Sequence, residues 1–233
     1  MSKLAAKFWD EWNWRSRQPD QLGVISHDQE REVLRFLAET GVRDAEILDV
    51  GCGTGWLCEH LLRFGRVTGT DLSRHCLEAA RERLPEARFV DGDFMALDFP
   101  SRHYDVICAL EVLAHMPDQP AFVAKLARLL KPGGLLMLAT QNRPMLERWA
   151  KVAPPAPGQV RHWLDQDEVR AALEPHFAIR EIFTVTPLAH KLPLRLLTAP
   201  RLRAIVPGLT AWEEHRGWGR TIMVLAQAGA QAA

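Results

Sequence analysis

Three glycines at alternate positions, Gly51, Gly53 and Gly55, separate an apolar run, Ile47-Leu48-Asp49-Val50, from a helical pattern that starts near Trp56. Glycine lets the backbone bend sharply and approach a ligand without an intervening Cβ. The helix expected next turns its free N–H groups and positive dipole end towards that ligand. Residue types and spacing therefore describe a nucleotide-type pocket at the C-terminal end of a first strand, where open α/β sheets bind their ligands. A second strand-like run, Val67-Thr68-Gly69-Thr70, ends in a carboxylate, Asp71, 20 residues after Gly51. An acid at about that offset can accept hydrogen bonds from both hydroxyls of a ribose.

Two phosphate-binding patterns do not fit. The dinucleotide fingerprint needs glycine or alanine where Trp56 stands, and a P-loop needs Gly-Lys-Ser or Gly-Lys-Thr. G-x-G-x-G after Ile-Leu-Asp-Val instead resembles the class I S-adenosylmethionine (SAM) methyltransferases. Further landmarks follow in that family's order. Phe89-Val90-Asp91-Gly92-Asp93-Phe94 resembles its third strand and adenine-side turn, and Tyr104–Leu110 its fourth strand. Lys131-Pro132-Gly133-Gly134 before Leu135-Leu136-Met137-Leu138 is similar to its fifth.

The resemblance implies SAM as cofactor, S-adenosylhomocysteine as product, and transfer of a methyl group to oxygen or nitrogen of a small molecule. It assigns cofactor contacts to Gly51, Gly53 and Gly55, with Asp49 supporting the turn and Asp71 on the ribose. Asp93 would accept from the exocyclic amine of adenine with Phe94 beside the ring. Leu110 ends the fourth strand at the cofactor, and Trp56 packs under the methionine or in the core. Methyl transfer from a sulfonium needs alignment, water exclusion and, for some acceptors, a base. It requires no metal. His115, in the loop after the fourth strand, is the first candidate base, with an ordinary pKa near about 6.5; Glu111 is the second candidate catalytic group. Glu111-Val112-Leu113-Ala114-His115 is similar to the Glu-Val-x-Glu-His of quinone-type O-methyltransferases, with Ala114 in place of the second glutamate. Methylation of a quinone or lipid precursor is thus one alternative, and SAM binding without transfer another.

The elements that must position these residues alternate along the chain. Strands are expected near 45–50, 66–70, 87–90, 104–109 and 134–140, and helices near 55–64, 73–83 and 119–130. That alternation argues for a parallel sheet with helices on both faces. Ser26-His27-Asp28-Gln29 reads as a capping box for a helix through about Glu39, and Asp165-Gln166-Asp167-Glu168 caps another. Phe177–Val185 reads as a sixth strand and Thr221–Ala226 as a seventh. The resemblance implies a single domain over residues 1–233: a Rossmann-like, seven-stranded, mostly parallel sheet. Its last strand would be antiparallel, between the fifth and sixth. Residues 1–26 would form an N-terminal lid, and 141–165 and 186–218 helical lid or substrate insertions.

Composition narrows the partners. Twenty-nine basic and 29 acidic residues leave no overall field to favour nucleic acid. No apolar run reaches membrane-span length, and the N-terminus lacks the apolar region of a signal peptide, so no stable membrane insertion is expected. Four cysteines without CxxC spacing suit reduced thiols in the cytoplasm. Trp9 and Trp12 share one helical face, which either closes as a lid over SAM and substrate or anchors the helix to the domain surface. His162 follows the fifth strand as a further substrate contact. Residues 187–212 carry Lys191, Arg195, Arg201 and Arg203 among leucines and no acid before Glu213. Arg201 and Arg203 are the expected contacts for an anionic or lipid-linked acceptor.

Overall fold

The computed structural model describes residues 3–16, 21–157, 159–187, 189, 196, 202, 205–206 and 208–229. Its strands are β1 (Ala45–Val50), β2 (Gly65–Asp71), β3 (Arg88–Asp91), β4 (Tyr104–Leu110), β5 (Leu130–Gln141), β6 (Phe177–Val185) and β7 (Thr221–Ala228). They form one seven-stranded sheet in the order β3-β2-β1-β4-β5-β7-β6. β7 runs antiparallel to both neighbours, and the remaining pairs are parallel. This is the expected Rossmann-like architecture, with the last strand in the expected place.

Alternation along each strand divides the core into two layers. Ile47, Val106 and Met137 face one side, with Val33, Phe36 and Leu37 of α2 (Val24–Thr40). Leu48, Ile107 and Leu136 face the other, with Phe122 and Leu126 of α5 (Gln119–Leu129). Between these helices lie α3 (Cys58–Leu61) and α4 (Arg74–Arg83); α1 (Lys3–Ser16) precedes them, and α6 (Arg143–Trp149), α7 (Gln166–Leu173) and α8 (Leu209–His215) follow. Central strands apolar on both faces are what a sheet covered on both sides requires. No helix among the described residues is long and apolar enough to cross a membrane.

The capping box at Asp165 is present: its Oδ1 accepts from the Glu168 N–H at 3.0 Å, and Glu168 Oε2 accepts from the Asp165 N–H at 2.9 Å. The one expected at Ser26 is not. Helix α2 starts at Val24 behind Gly23, which caps without a side-chain bond. Ser26 and Gln29 are instead buried on its inner face. The helix expected over 55–64 shortens to α3, flanked by turns in which Gly55 donates to the Cys52 carbonyl and Phe64 to that of Leu61. The turn at Lys131–Gly134 is drawn into β5, whose pairing with β4 shifts register between Tyr104 and Val106.

One long side chain fixes the loop that follows β3. Lys125 of α5 donates to the carbonyls of Phe94 at 2.6 Å, Met95 at 3.2 Å and Leu97 at 2.6 Å. Its ammonium lies 4.8 Å from the Phe94 ring centroid. Lys125→Met keeps the length and leaves three carbonyls without their donor. Hydrogen bonds from a charged group contribute about 1.5–3 kcal/mol, so a loss of about 2–3 kcal/mol is expected. Urea unfolding of the variant measures it.

Candidate active site

A cavity of about 620 Å³ opens at the C-terminal edge of the sheet. That falls inside the range of about 300–1,000 Å³ typical of small-molecule sites. The turn after β1 builds its first half. Gly51 donates to the Thr70 carbonyl at 2.7 Å and Cys52 to the same oxygen at 3.1 Å. Gly53 donates to Asp71 Oδ2 at 2.8 Å. Gly51 sits at φ 74°, and a Cβ there would meet Val112 Cγ2 at 2.5 Å, so both conformation and space demand glycine. Gly55 does not border the cavity; it packs against Phe89 and Ala80.

Asp71 is buried at the end of β2. Its Oδ1 accepts from the Ser73 N–H at 2.9 Å, and Asn13 of α1 reaches both oxygens at 3.3 and 3.4 Å. Burial pushes this carboxyl above its ordinary range, while the amides of Ser73, Gly53 and Leu72 pull it back. Asp49 lies beneath the turn, and the Cys58 thiol donates to its Oδ2 at 3.3 Å. Asp93 and Phe94 border the opposite wall, with Asp93 Oδ1 held by the Met95 N–H at 3.0 Å. Trp56 and Leu110 line the cavity and belong to the core as well.

The second half gathers around His115, in a 3₁₀ turn over Leu113–His115. Its Nδ1 lies 2.8 Å from the Val160 carbonyl oxygen. A carbonyl only accepts, so Nδ1 carries the proton and Nε2 keeps its lone pair. The Gln141 amide nitrogen stands 3.4 Å from Nε2, and the Trp9 ring packs on the imidazole at 4.5 Å between centroids. Burial pushes the His115 pKa below its ordinary 6.5; the bond to Val160 opposes this and the nearby Arg161 adds to it.

Glu111 follows β4 at φ 63°, a left-handed conformation rare outside glycine. Its Oε1 accepts from Gln29 Nε2 at 2.6 Å and Thr221 Oγ1 at 3.2 Å. Trp12 packs edge-on to Trp9 at the cavity mouth and stays 38% exposed. His162 turns outward. Its backbone is fixed through the Ala114 carbonyl and Gln119, and its neighbours Arg161 and Trp163 face the cavity instead. Lys191, Arg195, Arg201 and Arg203 lie outside the described residues. Sequence reasoning passed over Asn13, Gln141, Arg161 and Arg220, all at the cavity wall. Only position could have signalled the last three: Gln141 ends β5, Arg161 alternates with His162, and Arg220 precedes β7.

Residues 24–176 match the methyltransferase domain family. The chain belongs to that family. It is 36% identical over 149 residues to a ubiquinone biosynthesis O-methyltransferase of Thiobacillus denitrificans, covering 61% of either chain. Over 102 residues it is 40% identical to a 2-methyl-6-phytyl-1,4-hydroquinone methyltransferase of Synechocystis, covering 42% of this chain and 32% of that one. The match thus spans about three fifths, or less, of these relatives' own length. A crystal structure of an S-adenosylmethionine-dependent methyltransferase from Mesorhizobium loti superposes with a TM-score of 0.61 at 23% identity, covering 80% of this chain and 92% of that one. That likeness extends the shared fold to the sheet as a whole.

The geometry of this methyltransferase-family site fixes a pH dependence. Since burial holds the folded His115 pKa below the unfolded one, the unfolded chain takes up a proton first as pH falls. Stability contributed by neutral His115 is therefore full above about pH 6.5 and declines below it, down to the folded pKa. His115→Asn is expected to reduce the fall in Tm between about pH 7 and 5. Imidazole NMR on the wild type should show the Nδ1–H tautomer and a midpoint below that of an exposed histidine.

Proposed function

We propose that the chain transfers a methyl group from SAM to a phenolic oxygen of a small, quinol-type acceptor. The observation that carries this reading is a single cavity that joins the Gly51–Gly53 turn and Asp71 to a buried imidazole holding a lone pair on Nε2. SAM, when bound, supplies an electrophilic methyl group on a sulfonium whose departure needs no protonation.

The residues present fit that cofactor. SAM carries no phosphate, and the turn at Gly51–Gly55 holds no lysine or arginine. Asp71 is already fixed by two backbone amides, and the long contacts from Asn13 can give way to ribose hydroxyls. Asp93 stands beside Phe94 to accept from the adenine amine. Trp9 and Trp12 cover the mouth and exclude water.

His115 supplies the proton acceptor. A phenol with pKa near about 10 is mostly protonated at neutral pH and is a weak nucleophile until its proton leaves. Burial keeps His115 neutral there, and the Val160 carbonyl holds Nδ1–H so that Nε2 alone can receive the proton. The Gln141 contact at 3.4 Å is long enough for an acceptor hydroxyl to replace it. Glu111, engaged by Gln29 and Thr221, acts as a polar wall rather than as the base. The name of the Thiobacillus relative supports an oxygen acceptor, and that of the Synechocystis relative supports a quinol ring system. Buried, unpaired thiols at Cys52, Cys58, Cys76 and Cys108 suit a reducing, cytoplasmic setting.

Two variants test this with catechol acceptors and labelled SAM. His115→Ala is expected to lower kcat about 10²–10⁴-fold, the usual contribution of a general base, with SAM affinity unchanged. In the wild type, kcat/KM should fall as His115 protonates at acid pH. An unaltered kcat would remove His115 from the reaction. Asp71→Asn should weaken SAM binding about tenfold or more in calorimetry, since charge-assisted bonds to the ribose are lost; equal affinity would mean that the ribose lies elsewhere.

A further inference from the structure

We infer that Arg220 forms an anion site for the acceptor, which makes the substrate class a phenol that also bears a carboxylate. The inference rests on the methyl-transfer reading only in naming the anion's owner. The site itself stands on the following geometry.

Arg220 is held by its backbone at the edge of the cavity. Its N–H donates to the Thr186 carbonyl at 3.0 Å, and its own carbonyl accepts from the Asn142 N–H at 2.9 Å. The side chain lines the cavity, and its buried Nε has no partner among the described residues. Glu111 is its electrostatic neighbour. That carboxylate accepts from the neutral donors Gln29 and Thr221 at Oε1, so it keeps its charge and offsets part of the guanidinium's from a distance, with no direct contact between the two among the described residues.

A second cation stands on the same wall. Arg161 donates to the Ala153 carbonyl at 2.7 Å and to Gln159 Oε1 at 2.8 Å, and lies over the Trp163 ring at 5.1 Å. Among the described residues these partners are all neutral, so they orient its charge without balancing it. Burial lowers the pKa of both guanidiniums, the sign of cations withdrawn from water. Removing a cation from water without a counter-charge is costly, and a bound anion offsets that cost. The planar fork of arginine matches a carboxylate with two parallel hydrogen bonds.

A carboxylate could come from the acceptor or from the methionine part of SAM. The sheet separates the two. In the order β1-β4-β5-β7, Arg220 at the start of β7 is three strands from the glycine turn after β1, or about 14 Å at about 4.8 Å per strand. It is much closer to the base: Thr221, the next residue, pairs with Gln141, whose amide touches His115. The hydroxyl that meets Nε2 and the anion that meets Arg220 therefore belong to one molecule on the acceptor side.

The test is calorimetric titration of the S-adenosylhomocysteine complex with 3,4-dihydroxybenzoate and with its methyl ester. The wild type is expected to bind the acid about tenfold or more tightly than the ester, as a charge-assisted pair gives. Arg220→Gln should abolish that preference while ester binding, S-adenosylhomocysteine affinity and the unfolding midpoint stay unchanged. Arg220→Lys should keep part of it. No preference in the wild type, or one that survives Arg220→Gln, overturns the inference. So does loss of S-adenosylhomocysteine affinity in Arg220→Gln, which would give the arginine to the cofactor's own carboxylate. Turnover is read separately: an Arg220-dependent preference without methyl transfer overturns the proposed reaction and leaves the anion site standing.

Discussion

Everything at the site depends on how the turn after β1 is fastened to the end of β2. Two successive amides, Gly51 and Cys52, share the Thr70 carbonyl, and the next glycine amide closes on the Asp71 carboxylate. The turn is therefore hydrogen-bonded sideways, to a neighbouring strand, before any helix begins. With α3 only four residues long, from Cys58 to Leu61, the turn's own amides rather than a helix dipole define this end of the pocket. The same fastening presses Gly51 against Val112, so the loops after β1 and β4 meet with no room for a side chain between them. Cofactor half and acceptor half are joined at that contact.

The half of the cavity around His115 draws on strands of both directions. A parallel strand delivers its last residues to the functional edge, as β4 does with Glu111 and β5 with Gln141. β7 runs the other way and delivers its first, which brings Arg220 and Thr221 to the same edge. Thr221 then bonds Glu111 across the sheet. Glu111 holds a left-handed backbone that costs a non-glycine residue about 1–2 kcal/mol. Its amide bond to the Ala139 carbonyl and the two side-chain bonds at Oε1 offset that cost. A residue so constrained is suited to shaping a wall.

Much of this was legible in the sequence, for definite reasons. β1 and β4 are short, buried, largely apolar runs bounded by glycine and charged residues, so they could be delimited almost to the residue. The glycine turn and the acid after it are spaced by backbone geometry, which a sequence records directly. The antiparallel place of β7 came from family resemblance, since periodicity carries no information on strand order. Local signals failed where tertiary contacts override them. Ser26 looks like a helix cap and is turned inward by packing, and His162 looks like a site residue and faces out because the extended segment alternates. Val160 orients the imidazole through its carbonyl, a role that any residue type could fill. No pattern of side chains could have announced it.

Burial acts with one sign on every charge in the cavity, and the residues differ in how they answer it. His115 can release its proton, so desolvation favours its neutral form, the form that the proposed base needs. Asp71 is a carboxylate that could instead gain one, and three backbone amides resist the change by stabilising the anion where a ribose would approach. Arg220 has no such choice: a guanidinium keeps its proton at any pH a folded protein tolerates. Its charge remains in the wall whatever the solvent does, offset in part by the neighbouring Glu111 carboxylate, whose Oε1 accepts from Gln29 and Thr221. On the proposed reading, an acceptor arriving with negative charge would complete what Glu111 offsets only in part, beside an imidazole that burial favours in its neutral form.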